Sequence, residues 1–163
     1  MIHLDESMRK SMNITYSGML ATRRDIEPLP NIPTAEQIRR LETEMLQMEQ
    51  LPIETIHHFA PGQYAREIVI PAGTLLTGKT HRTEHLNVVS KGDITVWTEC
   101  GMKRIKAPFT FVSKPGTKRV GLAHEETVWI TIHATSETDL VKLEAELIEP
   151  ELIGSESEVV CLG

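Results

Sequence analysis

The chain has 163 residues, 40% hydrophobic and 25% charged, which fits one domain, or one domain with arms, and argues against wholesale disorder. A chain of this length buries enough surface to fold without disulfides or a structural metal. Its net charge of -6, from 17 basic and 23 acidic residues, disfavours a general nucleic-acid surface, which needs clustered Lys and Arg.

No apolar run approaches the ~18 residues of a membrane-spanning helix. The polar stretch Met1 to Lys10 lacks the apolar segment of a secretory signal. Cys100 and Cys161 stand at no metal-like or redox-like spacing. They exclude a disulfide framework and point to a reducing compartment or to indifference to redox.

In chain order, residues 1–33 hold Pro28, Pro30 and Pro33 and no sustained period, as in an extended arm. Thr34 followed by Gln37 forms a capping-box pattern and opens a helix and linker over 34–52. Ile38, Leu41, Met45 and Met48 give that helix one narrow apolar stripe, and Pro52 stops it. The stripe suits packing on the body of the protein or a seam between subunits. Over 53–135 the pattern changes to short strands with turn signals, an all-β sandwich or barrel. Ser136 then caps a second helix with Leu140, Leu143 and Leu147 on one face, and 136–163 ends in an acidic tail.

Gly73 to Thr80 fits the phosphate-loop expression G-x-x-x-x-G-K-[ST]. The chemistry needs a helix starting at Lys79, but His81 to Val89 reads as extended, so the match is fortuitous. A more specific pattern follows in Pro71-Ala72-Gly73, then Lys79-Thr80-His81, His85, and Lys91-Gly92. It resembles the first motif of the cupin superfamily of small jelly-roll barrels. Counting back from Gly92, His85 takes the place of the family's glutamate, His81 that of the second histidine, and Lys79 that of the first. The second motif is echoed by Gly101, Ala107-Pro108 and Pro115-Gly116, with Arg119 where a histidine is expected. The scaffold glycines and prolines are kept, and the metal ligands only in part.

From His57 to Leu147 the chain also resembles small cupin-like proteins encoded by tailed bacteriophages and prophages. That likeness rests on His57 to Gly62, the His81-to-Gly92 run, Ala107 to Phe111, Lys114 to Arg119 and Trp129 to His133. It implies a phage source and a cupin fold, and no settled activity. With the elements read above, the fold class is all-β, a cupin-like jelly-roll barrel with an N-terminal arm plus helix and a short C-terminal helix.

Strand periodicity then selects candidate site residues. His85, Asn87 and Val89 share one face of a strand, and Trp129, Thr131 and His133 share one face of another. With both faces inward, His81, His85 and His133 form a three-imidazole site for one divalent transition metal: Zn, Fe, Mn or Ni. Glu84 or Asn87 are candidates to orient the ligands. Lys79, Asn87 and Arg119 are candidates for ligand binding. Lys114, Lys118, Arg119 and Arg104 form a basic set near the Pro-Gly turn. At most one of His57 and His58 can join the cluster, and His124 reads as a surface residue. Cys100 has no base nearby in sequence, so nucleophilic catalysis lacks support.

Two functions follow. The first is a phage-encoded, non-enzymatic structural or accessory protein whose barrel is an assembly module, such as a decoration, tail or adaptor component of the virion. It would be a homo-oligomer in the host cytoplasm or on the virion. Its arm would reach onto a neighbour or another phage protein, with no nucleic acid or membrane partner. The second is a metal-dependent cupin isomerase, dioxygenase or sensor acting on a small polar metabolite. Convergence of the three imidazoles discriminates between them, against a barrel plugged by Phe109, Phe111 or Trp129.

Overall fold

The computed structural model describes residues 18–20, 32–98 and 100–150. Most of the arm, Cys161 and the acidic tail lie outside them.

Ten strands run in chain order: β1 (Gly18–Leu20), β2 (Glu54–Ala60), β3 (Gln63–Ile70), β4 (Thr74–Gly78), β5 (His85–Lys91), β6 (Asp93–Thr98), β7 (Gly101–Lys106), β8 (Phe109–Ser113), β9 (Arg119–Ala123) and β10 (Thr127–Ala134). They form two five-stranded sheets, ordered β1-β4-β9-β6-β7 and β2-β3-β10-β5-β8. Every pairing is antiparallel. Without β1 and β2, strands β3 to β10 make two four-stranded sheets, and successive strands cross from one sheet to the other except at the β6–β7 hairpin. This is the jelly-roll order, two interlocked Greek keys. The fold is therefore the all-β, cupin-like jelly-roll barrel read from the sequence. β2 extends one sheet through a tight Pro61-Gly62 hairpin, and β1 from the arm adds backbone pairing to the edge of β4.

The two inner faces meet in one apolar core. Ile68, Ile70, Val89 and Trp129 come from one sheet, and Leu76, Ile94, Val96 and Ala123 from the other. Gly92 makes the crossing from β5 to β6. Its φ is +96°, and a Cβ there would lie 2.4 Å from the Glu126 carbonyl oxygen, so both backbone conformation and space require glycine.

Helix α1 (Ala35–Met45) begins as expected, with both hydrogen bonds of the Thr34–Gln37 capping box. Ile38, Leu41 and Met45 pack on Leu75 and Val120, with Trp97 and Leu122 beside them. The helix thus covers the outer face of the β4-β9-β6 sheet of its own chain. It ends before Pro52 because the Gln50 side chain takes the Met45 and Met48 carbonyls at 2.6 and 2.8 Å.

Helix α2 (Leu140–Leu147) is capped by Asp139, which accepts from the Val141 and Lys142 amides, not by Ser136. The Glu137 carboxylate holds the Thr138 and Asp139 amides and keeps that stretch out of the helix. Leu143 and Leu147 are buried against Tyr64 and Ile148. Cys100, in the β6–β7 turn, is disulfide-bonded. Spacing in the sequence gave no sign of that pairing.

Candidate metal centre

Strand alternation delivers the site. On β5, His85, Asn87 and Val89 are all under 5% exposed, and on β10, Trp129, Thr131 and His133 are under 9%. Both sets point between the sheets. Thr131 pairs with Asn87 across the strands, so His133 and His85 fall at the same end of the barrel. His81 reaches that end from the β4–β5 connection, held by a bridge to Ile148 and by the Gly116 amide on its carbonyl. The three ring centroids lie 4.2, 4.6 and 4.9 Å apart. One potential ligand nitrogen from each falls within 4.8 Å of the others. Ligand nitrogens on a tetrahedral ion at ~2.05 Å would stand about 3.3 Å apart.

The nitrogens Nδ1 of His81, Nε2 of His85 and Nδ1 of His133 are buried without a hydrogen-bond partner. Each such orphan costs roughly 1–3 kcal/mol, and three on facing rings are seldom left uncompensated. His85 Nδ1 lies 3.0 Å from the Thr83 carbonyl. A carbonyl only accepts, so Nδ1 carries the proton and Nε2 presents a lone pair toward the cluster.

Burial is the first cause that lowers all three pKa values. It brings His81 to about 2, helped by His85, Arg66, His133 and Arg119, and His133 to about 3, helped by His85 and Arg66. His85 is lowered by burial and by Arg119 and Arg66 against the opposing Thr83 bond. All three rings are neutral near pH 7, the form that ligates a metal. The donor set fits a borderline ion such as Zn, Fe, Mn or Ni.

Beside the cluster, a cavity of about 60 Å³, open to the surface, lies between the sheets. Lys79, His81, Arg66, Arg119 and Thr131 line its polar part. Burial lowers both arginines to about 10, with Glu144 opposing the shift at Arg66. Phe109 meets Phe111 at a tilt and Phe111 meets Trp129 edge-on; Trp129 lines the cavity, and neither phenylalanine does.

The other expected residues have the following partners. Asn87 is inward, but its amide is spent on Ser113 Oγ at 2.6 Å and Trp129 Nε1 at 3.0 Å, so it fastens β5 to β8 and β10. Lys79 pairs with Glu144 on α2. Glu84 pairs with Lys114 outside the barrel and cannot orient a ligand; the Thr83 carbonyl takes that part.

The basic set near the Pro-Gly turn does not assemble. Arg104 binds Asp93, Lys118 binds Glu42 on α1, and Arg119 turns into the barrel. His57 hydrogen-bonds Tyr64 at 2.7 Å and His58 meets Glu67 at 3.0 Å, so neither joins the cluster. His124 is exposed as expected, with Nε2 on Thr95.

Sequence reading passed over Arg66 and Tyr64. Counting back by twos from the inward Ile68 and Ile70 reaches both.

No protein-family profile matches the chain, and no curated protein matches it. Solved structures of similar fold do match. KdgF from Halomonas sp. is 18% identical over 55% of this chain and 87% of its own, with a TM-score of 0.46. A cupin 2 conserved barrel domain protein from Salinispora arenicola is 11% identical over 55% of this chain and 90% of its own, with a TM-score of 0.44. A cupin-2 domain protein from Shewanella frigidimarina is 12% identical over 58% and 92%, with a TM-score of 0.42. At this similarity they say nothing of ligand or activity, and the fold assignment stands on the strand order.

Proposed function

We propose that this chain is a metal-binding cupin-type barrel in which His81, His85 and His133 hold one divalent transition metal ion beside a cavity for a small polar metabolite. The observation that carries the reading is the set of three converging buried imidazoles, each with one unpartnered nitrogen. Bound there, the ion would supply a Lewis acid with open coordination positions. The chain does the rest. Burial and neighbouring cations keep the rings neutral, Thr83 fixes one tautomer, and the strap of α2 and Ile148 shelters the site from bulk water. Isomerisation and dioxygenation of small polar metabolites are the reaction classes to screen.

The test is metal content, by mass spectrometry, of protein purified without an affinity tag. Near one ion per chain is expected for the wild type, falling at least about tenfold in His81→Ala/His85→Ala. Equal or negligible content in both proteins overturns the reading.

A second reading keeps the barrel as an assembly module. One observation favours it. The outer face of the β2-β3-β10-β5-β8 sheet carries Ile56, Leu86 and Val112 exposed, with Val88, Ile130 and Ile132 half-buried. Among the described residues no helix covers this face, and the occupant we propose is a second copy of the chain. The two readings are compatible. The phage connection itself rests on the sequence resemblance.

A further inference from the structure

The cavity beside the histidines is electrostatically one-sided. Three cations line it, Arg66, Lys79 and Arg119, and no carboxylate does. Lys79 is answered by Glu144. Arg119 is not answered by any acid among the described residues. Its guanidinium donates to the Ser113 hydroxyl and lies 5.7 Å from the centre of the Phe111 ring, both neutral groups.

Arg119 is part-buried, and a guanidinium partly withdrawn from water without a counter-charge is costly. Arg119 leaves β9 on the inward face, in register with Gly78 of β4. With no side chain on Gly78, the cavity stays open beside it. Arg119 and His81 line the same cavity, so the guanidinium shares it with the cluster. A metal ion on the histidines would raise the positive charge further. Away from these groups the walls are apolar, made by Ile68, Leu76, Ile94, Val96 and Trp129.

We infer that the cavity takes a small carboxylate with an apolar body, its carboxylate paired with the Arg119 guanidinium and its body against the Leu76–Val96–Trp129 wall. Arg119 is then the group that selects the ligand's charge. A planar guanidinium meets a carboxylate through two parallel hydrogen bonds, which a lysine ammonium does not reproduce. This deepens the function proposed above and rests on it only at the metal end of the cavity.

The experiment uses benzoate as probe and benzamide as its neutral counterpart of the same shape. Binding is measured by calorimetry and thermal shift, on zinc-loaded and on chelator-treated full-length protein, with metal content recorded for each. Benzoate is expected to bind and to raise the melting temperature, and benzamide to bind at least about tenfold more weakly. Arg119→Gln should weaken benzoate at least about tenfold and leave benzamide unchanged, with Arg119→Lys in between. The wild-type pair of ligands and Arg119→Lys decide the matter even if Arg119→Gln fails to fold.

Equal binding of benzoate and benzamide overturns the inference. So does an Arg119→Gln protein that binds benzoate as the wild type does, or no benzoate binding in either form. The two proposals fail separately. Arg119-dependent benzoate binding in protein that holds no metal sinks the metal reading alone. Histidine-dependent metal without benzoate binding sinks this one alone.

Discussion

Asp93 opens β6 with its carboxylate almost wholly buried, at 4% exposure for the residue. Arg104 meets it through two 2.8 Å hydrogen bonds, and Lys106 stands at 3.5 Å. Its backbone carbonyl takes the His124 amide at 2.7 Å, which ties β6 to the β9–β10 turn. The Arg104 bonds hold its pKa below the ordinary 3.8, against the opposing effect of burial. A carboxylate depressed on folding contributes stability that is fully present above its unfolded pKa and is lost as pH falls through the folded value. We therefore expect Asp93→Asn to melt below the wild type by a constant interval from neutral pH down to about pH 5, the interval closing below pH 4. Thermal denaturation across that range checks it; curves that stay parallel to pH 2.5 contradict it.

At this scale the candidate site was legible wherever period two fixed a direction. The inward faces of β5 and β10 needed only alternation, and these brought His85 and His133 to one barrel end. What each polar group does there was not legible, because that depends on partners distant in sequence. Asn87 is spent on Ser113 and Trp129, and Arg104 on Asp93 rather than on the Pro-Gly turn.

Among the elements, α1 shows how a short helix is held. Eleven residues are too few for a stable helix in isolation, so its order comes from docking. Ile38 is fully buried and Met45 nearly so, between the helix and the outer face of β4 and β9. Glu42 adds a polar clamp, accepting from Thr77 Oγ1 at 2.7 Å and pairing with Lys118 at 2.9 Å. Ile38→Ala should cost about 2–5 kcal/mol in chemical denaturation. Leu46→Ala, at a side chain 50% exposed just past the helix, should stay within about 0.5 kcal/mol. Equal losses at the two positions would mean that the helix is not docked in solution.

The start of α1 was legible because a capping box is a local code. Its end was not, since Gln50 folds back onto carbonyls of the last turn before Pro52 can act. The Asp139 cap was missed for a related reason: Ser136 and Asp139 are both good caps, and Glu137 decides between them by binding the intervening amides. β4 was hidden inside the phosphate-loop lookalike. Its Leu75 and Leu76 serve two different faces, one under α1 and one in the core, so the strand shows no alternation.

For the whole molecule, the two sheets are treated unequally. The outer face of one lies under α1. The other presents a cross-strand row in which Ala65, Ile132, Leu86 and Val112 stand side by side. Ile130 and Val88 form the next row along the same strands. With strands ~4.8 Å apart and a rise of ~3.3 Å per residue, the whole five-stranded face measures roughly 24 by 20 Å, and the two apolar rows lie within it. These two rows hold no charge from β10 to β8, so two copies can meet there by a twofold axis without opposing like charges, although each chain carries -6 overall. We expect a dimer by light scattering, strengthened by salt because screening weakens the repulsion between two acidic bodies. Leu86 and Val112 are directly paired and about half exposed, so lysines there should be tolerated by a single chain. Leu86→Lys/Val112→Lys should then be monomeric, with an unchanged circular dichroism spectrum and unchanged metal content. A wild type that is monomeric at high micromolar concentration, or a double variant that still dimerises, would remove this face as the interface and leave the barrel to act as a single vessel.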